Sequence, residues 1–271
     1  MKLFKLIPSV AIAVSSIAAL ALITPSAQAY SVVPNGKTAG NPGGQSLNDI
    51  RLHSGDVGRV LDPTKFHLSA GSTNKDGRTL TQDLVGKAVI TVMALTKDKL
   101  SLQINVSNET KQPPNPDYKM AIMSLWFGVE QPVSSIEIAQ AGNPFSRVEQ
   151  PTNGQQSTPG GFKDIDVCVL TAQNCSGGNV KKGLQIGQSD TFAVNIFGDF
   201  SMDSNHDTSD RAAATISDIG VKWKGNDGSY ELAGTPEPVT ILGSGLAAGF
   251  GIVMKRKSGK NQRNQKEKAI A

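Results

Sequence analysis

Two stretches of the chain alternate strictly between apolar and polar side chains. Apolar residues occupy every second position in residues 100–106 (LSLQINV), and residues 189–197 (SDTFAVNIF) repeat the pattern with Phe192, Val194 and Ile196 on one face. Because successive side chains of a β-strand point to opposite faces of a sheet, this period of two predicts strands with one buried and one solvated face.

Other runs have the composition of strands, and turn residues separate them. Residues 88–95 (AVITVMAL) pair with residues 100–106 as a predicted hairpin, and residues 121–129 (AIMSLWFGV) are typical of a fully buried strand. Residues 60–68 form a predicted edge strand that Pro63 interrupts. Residues 213–223 (AATISDIGVKW) need a bulge near Gly220 to keep their apolar side chains in register.

Short strands without intervening helices predict a mainly β fold, an antiparallel β-sandwich of the jelly-roll or immunoglobulin-like type. We expect this β-sandwich domain to span residues 80–233. Residues 30–79 are rich in glycine, asparagine, proline and serine and are interpreted as a polar N-terminal segment. Trp126 is expected to pack in the interior rather than to stack on a ligand.

The first 29 residues have the organisation of a secretory signal peptide. Lys2 and Lys5 supply a positive beginning, residues 10–23 are apolar, and Ala27 and Ala29 stand at a small-x-small cleavage site. The alternative is a first transmembrane helix. Cleavage after Ala29 predicts an exported chain that begins at Tyr30.

Charge excludes one class of function. The whole chain has a net charge of +4, but acidic side chains slightly outnumber basic ones in residues 30–235. Without a basic stripe, and with few aromatic residues, this body is not expected to bind nucleic acid.

The C-terminal part combines a motif, an apolar run and a basic cluster in a fixed order. Pro236, Glu237 and Pro238 come first, residues 239–254 carry no charge, and the basic cluster follows. As a helix the run would be about 24 Å long, short for a membrane core of about 30 Å, although flanking lysines make up such differences by snorkelling. The run is therefore a predicted transmembrane helix in contact with lipid. Its basic cluster would lie in the cytoplasm and consists of Lys255, Arg256 and Lys257.

Residues 235–257 resemble the PEP-CTERM sorting signal of Gram-negative bacteria. The resemblance implies that an exosortase, a membrane protease, processes the chain near the Pro-Glu-Pro motif and releases or transfers it to the envelope or extracellular matrix. Residues 258–271 form a longer basic tail than the family usually has. A C-terminal anchor that is never cleaved is the alternative.

A second resemblance covers residues 80–233. The order LSLQINVSNET, LWFGV, a short cysteine loop and ISDIGVKWKG is similar to the ectodomain of the cistern-type group of PEP-CTERM proteins. That group implies an exported β domain with no assigned biochemical activity, and association with extracellular polysaccharide is the role that the first resemblance allows.

Two groups of residues have the chemistry of a cross-link and of a metal site. Cys168 and Cys175 are close in the chain and predict a local disulfide in an oxidising compartment, since without a nearby histidine they make a poor zinc site. Asp203, Asn205 and Asp207 stand at the first, third and fifth positions of a calcium-loop spacing. Thr208 and Ala214 replace the glycine of the sixth position and the glutamate of the twelfth position of an EF-hand. Calcium is thus a candidate ligand, and a solvated turn-rich loop is the alternative.

No catalytic motif stands out. Histidine occurs only at positions 53, 67 and 206, and no Gly-x-Ser-x-Gly sequence is present. Asp164 and Asp166 have the chemistry of a glycosidase pair, yet beside a cysteine loop the solvated face of a strand is the favoured interpretation. The sequence therefore predicts a non-catalytic exported surface or matrix protein. A carbohydrate-binding or adhesion module is the alternative, and a secreted hydrolase is the third hypothesis.

Overall fold

The computed structural model describes residues 30–38, 46–61, 63–151, 162, 165–201 and 212–236. Within these ranges the chain forms strands and two short 3₁₀ turns, Ser54–Asp56 and Val180–Lys182, and no α-helix. The strands are β1 (Ser31–Thr38), β2 (Ser46–His53), β3 (Thr64–Leu68), β4 (Leu84–Leu95), β5 (Lys99–Asn108), β6 (Met120–Val129), β7 (Val133–Gln140), β8 (Arg147–Glu149), β9 (Val167–Leu170), β10 (Ser189–Gly198), β11 (Ala213–Gly225), β12 (Gly228–Ala233) and β13 (Thr235–Pro236).

Two antiparallel sheets share these strands. The first has the order β1-β2-β11-β6-β9-β8, with β12 paired to β11, and the second has the order β13-β3-β4-β5-β10-β7. One large apolar cluster includes side chains of both sheets, among them Trp223 of β11 and Phe66 of β3, whose ring centroids are 6.3 Å apart. The mainly β fold predicted from the sequence is confirmed, and the two sheets pack as a β-sandwich.

The alternating strands behave as their sequences predict. The apolar side chains of β5 and β10 that were assigned to one face are all buried, and Phe192 pairs in register with Ile104. The hairpin of β4 and β5 is confirmed as well, although both strands extend a few residues beyond their predicted ends. A period of two is thus enough to place these strands and their inward faces.

Strand β6 is buried on both faces. One face joins the main core, and the other face carries Trp126 into a separate apolar cluster with Phe162, Cys168 and Cys175. The Trp126 and Phe162 rings meet edge to face with centroids 5.2 Å apart. Trp126 packs in the interior as expected, but it packs beneath the cysteine loop rather than between the sheets.

The predicted bulge lies in β11. The register between β11 and β6 shifts between Ser217 and Gly220, and Asp218 there has a φ of 53°. A Cβ on Gly220 would lie 2.6 Å from the indole of Trp126. Glycine at this position therefore lets the bulged strand approach the tryptophan closely.

The structure differs from the sequence prediction in residues 30–79. Strands β1 and β2 lie in this segment without having been predicted, whereas β3 falls within the predicted strand of residues 60–68. The segment supplies Ile50, Leu52 and Phe66 to the main core. Its few apolar residues are spread among prolines and polar residues, so no long period of two marks the strands. The sandwich thus begins at Ser31 rather than at residue 80.

Long-range strand pairs are nested within one another. Strand β2 pairs with β11, β5 pairs with β10, and β6 pairs with β9. Successive pairs belong alternately to the first, second and first sheet. These three pairs therefore alternate between the two layers from the outermost pair to the innermost.

No helix in the described ranges is long and apolar enough to cross a membrane. The predicted signal peptide, the predicted span at residues 239–254 and the basic tail lie outside the described residues.

Candidate functional site

The cysteine loop is closed as predicted and is fixed to the outer face of the first sheet. Cys168 and Cys175 form a disulfide. Ser124 of β6 donates a hydrogen bond of 2.9 Å to the carbonyl of Cys175, and the Lys224 ammonium donates one of 2.9 Å to the carbonyl of Gly178. These contacts hold residues 168–178 as a cover over β6 and β11.

An ion pair is buried close to this cover. Lys222 of β11 and Glu231 of β12 are direct cross-strand neighbours, and their Nζ and Oε1 atoms are 2.7 Å apart. Their side chains are only 9% and 3% exposed. Gly177 of the cysteine loop lies against the Lys222 side chain, so that the loop excludes water from the pair.

After the cysteine loop the chain forms one side of an open groove of about 600 Å³. We call it the lysine groove. Among the described residues that line it, only Lys181 and Lys182 are charged, and both side chains are exposed. The described residues that line it are Asn143, Pro144, Thr171, Lys181, Lys182, Gly183, Gln185, Gln188 and Ser189.

A buried carboxylate fixes the wall opposite the lysines. Asp190 at the start of β10 accepts hydrogen bonds from the backbone N–H groups of Asn143 (2.8 Å), Phe145 (2.7 Å) and Thr191 (2.8 Å). The peptide bond between Asn143 and Pro144 is cis. The three hydrogen bonds to Asp190 set the position of the loop between β7 and β8 against the groove.

The wall that carries the lysines is fixed by amide side chains. Asn179 caps the 3₁₀ turn Val180–Lys182 by accepting a hydrogen bond from the Lys181 N–H. Gln185 donates to the carbonyls of Val180 (2.7 Å) and Gly183 (2.8 Å), and its own N–H donates to the side-chain oxygen of Gln188. The backbone of the turn is therefore held in place while both ammonium groups stay in solvent.

The groove floor rests on β6. A Cβ on Gly183 would lie 2.5 Å from the sulfur of Met123 and 2.7 Å from the Cβ of Ala121, so the turn needs glycine to approach the strand. Thr171 donates a hydrogen bond of 3.1 Å to the carbonyl of Met123. The floor is thus part of the sandwich itself.

A second groove of about 900 Å³ lies on another part of the surface, where the proline-rich loop after β5 meets the segment before β4. Tyr118 is half-buried there, and its hydroxyl donates a hydrogen bond of 2.8 Å to Asp227. Asp227 also accepts from the N–H (2.8 Å) and the hydroxyl (2.6 Å) of Thr81. These hydrogen bonds tie the loop to the turn between β11 and β12.

This network shifts the pKa values of its members. Burial, followed by the hydrogen bond to Asp227, raises the pKa of Tyr118 well above its usual range. Burial acts to raise the pKa of Asp227, but the hydrogen bonds donated by Thr81 and Tyr118 together outweigh it and the pKa is lowered. At neutral pH the pair is a neutral phenol and a carboxylate, which suits a structural tie rather than proton transfer.

The structure describes one of the predicted sorting residues. Pro236 lies in β13 and pairs with Thr64 of β3. The remaining sorting and cleavage residues lie outside the described residues, namely Glu237, Pro238, Lys255, Arg256, Lys257, Ala27 and Ala29. The candidate calcium ligands Asp203, Asn205 and Asp207 also lie outside, and within the described ranges no three histidine, cysteine or acidic side chains are grouped as metal ligands.

The residues considered for catalysis have structural partners where they are described. Asp166 is partly exposed just before β9 and accepts a hydrogen bond of 2.7 Å from the Val129 N–H at the end of β6. Asp164 and His206 lie outside the described residues. His67 lies 3.8 Å from Asp83 on the exposed surface. Neither Asp166 nor His67, the two described positions, joins a nucleophile to a base.

The lysine groove was not predicted from the sequence. Its lining comes from two loops that are distant in the chain, and Asp190 unites them through backbone hydrogen bonds that no sequence pattern marks. The adjacent pair Lys181 and Lys182 was the available signal, but two lysines beside a glycine occur in many solvated turns.

No known protein-family model matches the chain, and no curated protein matches it significantly.

Proposed function

We propose that this chain is an exported, non-catalytic surface or matrix protein, sorted through a C-terminal PEP-CTERM signal that an exosortase recognises. The observation that carries the proposal is the position of the fold in the chain. The strands run from Ser31 to Pro236, between the predicted cleavage site at Ala29 and the remainder of the Pro-Glu-Pro motif. Removal of both sorting segments would leave the sandwich whole.

Two further observations support export. The Cys168–Cys175 disulfide fits an oxidising compartment. In addition, β13 is the outer strand of the second sheet and ends at Pro236, so that the motif would leave the body at a sheet edge. A membrane protease would meet the motif there without disturbing the main core.

Within this proposal the sandwich is a jelly roll. A jelly roll forms when a ribbon of two antiparallel strands winds around a two-layer core. Such winding produces nested strand pairs that alternate between the sheets, as β2·β11, β5·β10 and β6·β9 do. Strands β7 and β8 continue the winding, since they follow each other and contact one another across the two sheets. An immunoglobulin-like arrangement does not require this nesting.

The alternative, a carbohydrate-binding module, depends on how sugars would be held. Among the described residues no phenylalanine, tyrosine or tryptophan side chain is fully exposed, and Tyr30, Tyr118 and Phe197 are partly exposed. The described part of the chain thus offers no fully exposed aromatic ring for stacking on a sugar, which favours polar recognition.

The proposal is tested by changing the motif. The full chain, expressed in an exosortase-bearing Gram-negative bacterium, should yield a shortened species in the envelope or medium. The double variant Pro236→Ala/Pro238→Ala should keep its C-terminus and remain in the membrane fraction. The matched control Pro113→Ala/Pro114→Ala changes two prolines of a surface loop and should be processed normally. Equal processing of all three proteins, or of the wild type in a strain without the protease, contradicts the proposal.

A further inference from the structure

We infer that the lysine groove is a binding site for a carboxylated saccharide segment of an extracellular polysaccharide. That the ligand is a saccharide rests on the function proposed above, whereas its acidity rests on the groove itself. The inference thus names the ligand class and the site through which a matrix protein of this kind would be retained.

Charge is the first argument. Lys181 and Lys182 line the groove, and none of the other described lining residues is acidic. Among the described residues, neither ammonium group has a carboxylate partner. A cleft lined by charges of one sign concentrates ligands of the opposite sign. The groove is therefore electrostatically suited to an anion, although acidic residues slightly outnumber basic ones in residues 30–235.

The nearest buried carboxylate does not cancel this charge. Asp190 follows the groove residue Ser189, but three backbone N–H groups already point at its oxygens. Those bonds disperse its negative charge into the wall of the groove. Its role is to hold the wall in place, and the solvent-facing charges of the groove are the two ammonium groups.

The uncharged lining is the second argument. The side-chain amides of Asn143 and Gln188 and the hydroxyl of Ser189 line the groove beside the lysines. Gln185 and Thr171 also line it, but their donor groups are used within the wall and the floor. Gln188 uses its oxygen to accept from the Gln185 N–H, which leaves its NH₂ group as a donor for a ligand. A ligand rich in hydroxyl groups as well as carboxylates satisfies both parts of this lining, and an acidic sugar has both.

Size and rigidity are the third argument. The volume of about 600 Å³ lies within the range of ligand sites, and the groove is open to solvent. Both walls are fixed by the hydrogen bonds of Asp190, Asn179 and Gln185. A preformed site loses little conformational freedom when the ligand binds.

The test is binding of the purified full chain to polygalacturonate, with neutral dextran of similar length, monomeric galacturonate and inorganic phosphate as comparison ligands. We expect binding to polygalacturonate that weakens with added salt, and no binding to dextran. Lys181→Gln/Lys182→Gln should weaken it at least about tenfold, because two charge-assisted contacts are lost. Lys75→Gln/Lys119→Gln removes the same charge from exposed positions outside the groove and should leave affinity unchanged.

Other outcomes overturn the inference. Equal weakening by both double variants would show non-specific attraction to the whole surface. Phosphate that competes as well as polygalacturonate would show a small-anion site rather than a saccharide site. Normal processing of the motif together with no polygalacturonate binding would overturn this inference alone, whereas groove-dependent binding without processing would contradict only the proposed sorting.

Discussion

Lys222 and Glu231 form an ion pair between β11 and β12 that is almost completely removed from water, with 2.7 Å between Nζ and Oε1. The pair lies on the outer face of the first sheet, where the cysteine loop covers it. A sheet face that would otherwise be solvated is thereby made part of the interior. The arrangement explains why β11 is buried over most of its length.

The first prediction concerns this pair. Glu231→Leu or Lys222→Met alone leaves one charge buried without its partner, which should lower the free energy of unfolding by about 3–5 kcal/mol. The double variant Lys222→Met/Glu231→Leu should lie much closer to the wild type, because no charge is then buried. Urea unfolding of the four proteins measures the coupling. Single variants that each cost less than about 1 kcal/mol, as exposed pairs do, would show that the pair is in contact with water.

The second prediction concerns the disulfide. Cys168→Ala/Cys175→Ala removes a cross-link with a sequence separation of 7. Loss of the chain-entropy constraint should lower the free energy of unfolding by about 2–3 kcal/mol. Thermal unfolding with and without a reducing agent checks it, since the reductant should shift only the wild type. A reductant effect of the same size on the double variant would mean that the disulfide is not its cause.

The third prediction concerns alkaline pH. Tyr118 has a pKa above its unfolded value of 10.0, because burial and the hydrogen bond to Asp227 favour the protonated phenol. Its contribution to stability is therefore complete below about pH 10 and is lost as the pH rises toward the folded-state pKa. Tyr118→Phe should be less stable at pH 7 by about 1 kcal/mol, since a hydrogen bond is lost, but its stability should fall less steeply above pH 10.

The alkaline prediction is checked by measuring unfolding free energies between pH 8 and 11 in the wild type and in Tyr118→Phe. Parallel profiles would show that Tyr118 titrates normally. Tyr230→Phe is measured alongside, because burial also raises the pKa of Tyr230 and its titration contributes to the same alkaline loss of stability.

The fourth prediction concerns the bulge in β11. Gly220→Ala would place a Cβ about 2.6 Å from the ring of Trp126, and should destabilise the fold by about 1–3 kcal/mol through overpacking. Trp126→Leu is also destabilising, because it removes a large buried side chain. If the contact is the cause, the two changes together should cost less than the sum of their separate effects. Additive costs in a double-mutant cycle would place the strain elsewhere.

The sequence predicts the strands that have one wet face. Residues 100–106 and 189–197 alternate, and both lie in the sheets with the predicted side chains buried. The bulge near Gly220 was predictable because the apolar residues of β11 change register there. Such signals are local, and a single strand carries them.

Features that depend on distant partners were not predictable. Strands β1 and β2 have mixed composition and gain their place by pairing with β11 through β2. The second apolar cluster forms because the cysteine loop folds over β6. The sequence of β6 indicates that both its faces are buried, but it does not indicate that the cysteine loop covers one of them. The lysine groove likewise depends on the hydrogen bonds that Asp190 accepts from a loop about 45 residues earlier in the chain.

The central proposal is that the two ends of the chain are sorting segments and that residues 30–236 form the functional body. The most direct test is the intact mass of the protein recovered from its native envelope and medium. We predict a species that begins at Tyr30 and ends near the Pro-Glu-Pro motif, with a mass that retains the disulfide. A species that still ends at Ala271 in the membrane fraction would make residues 239–254 a permanent anchor and would contradict processing by an exosortase.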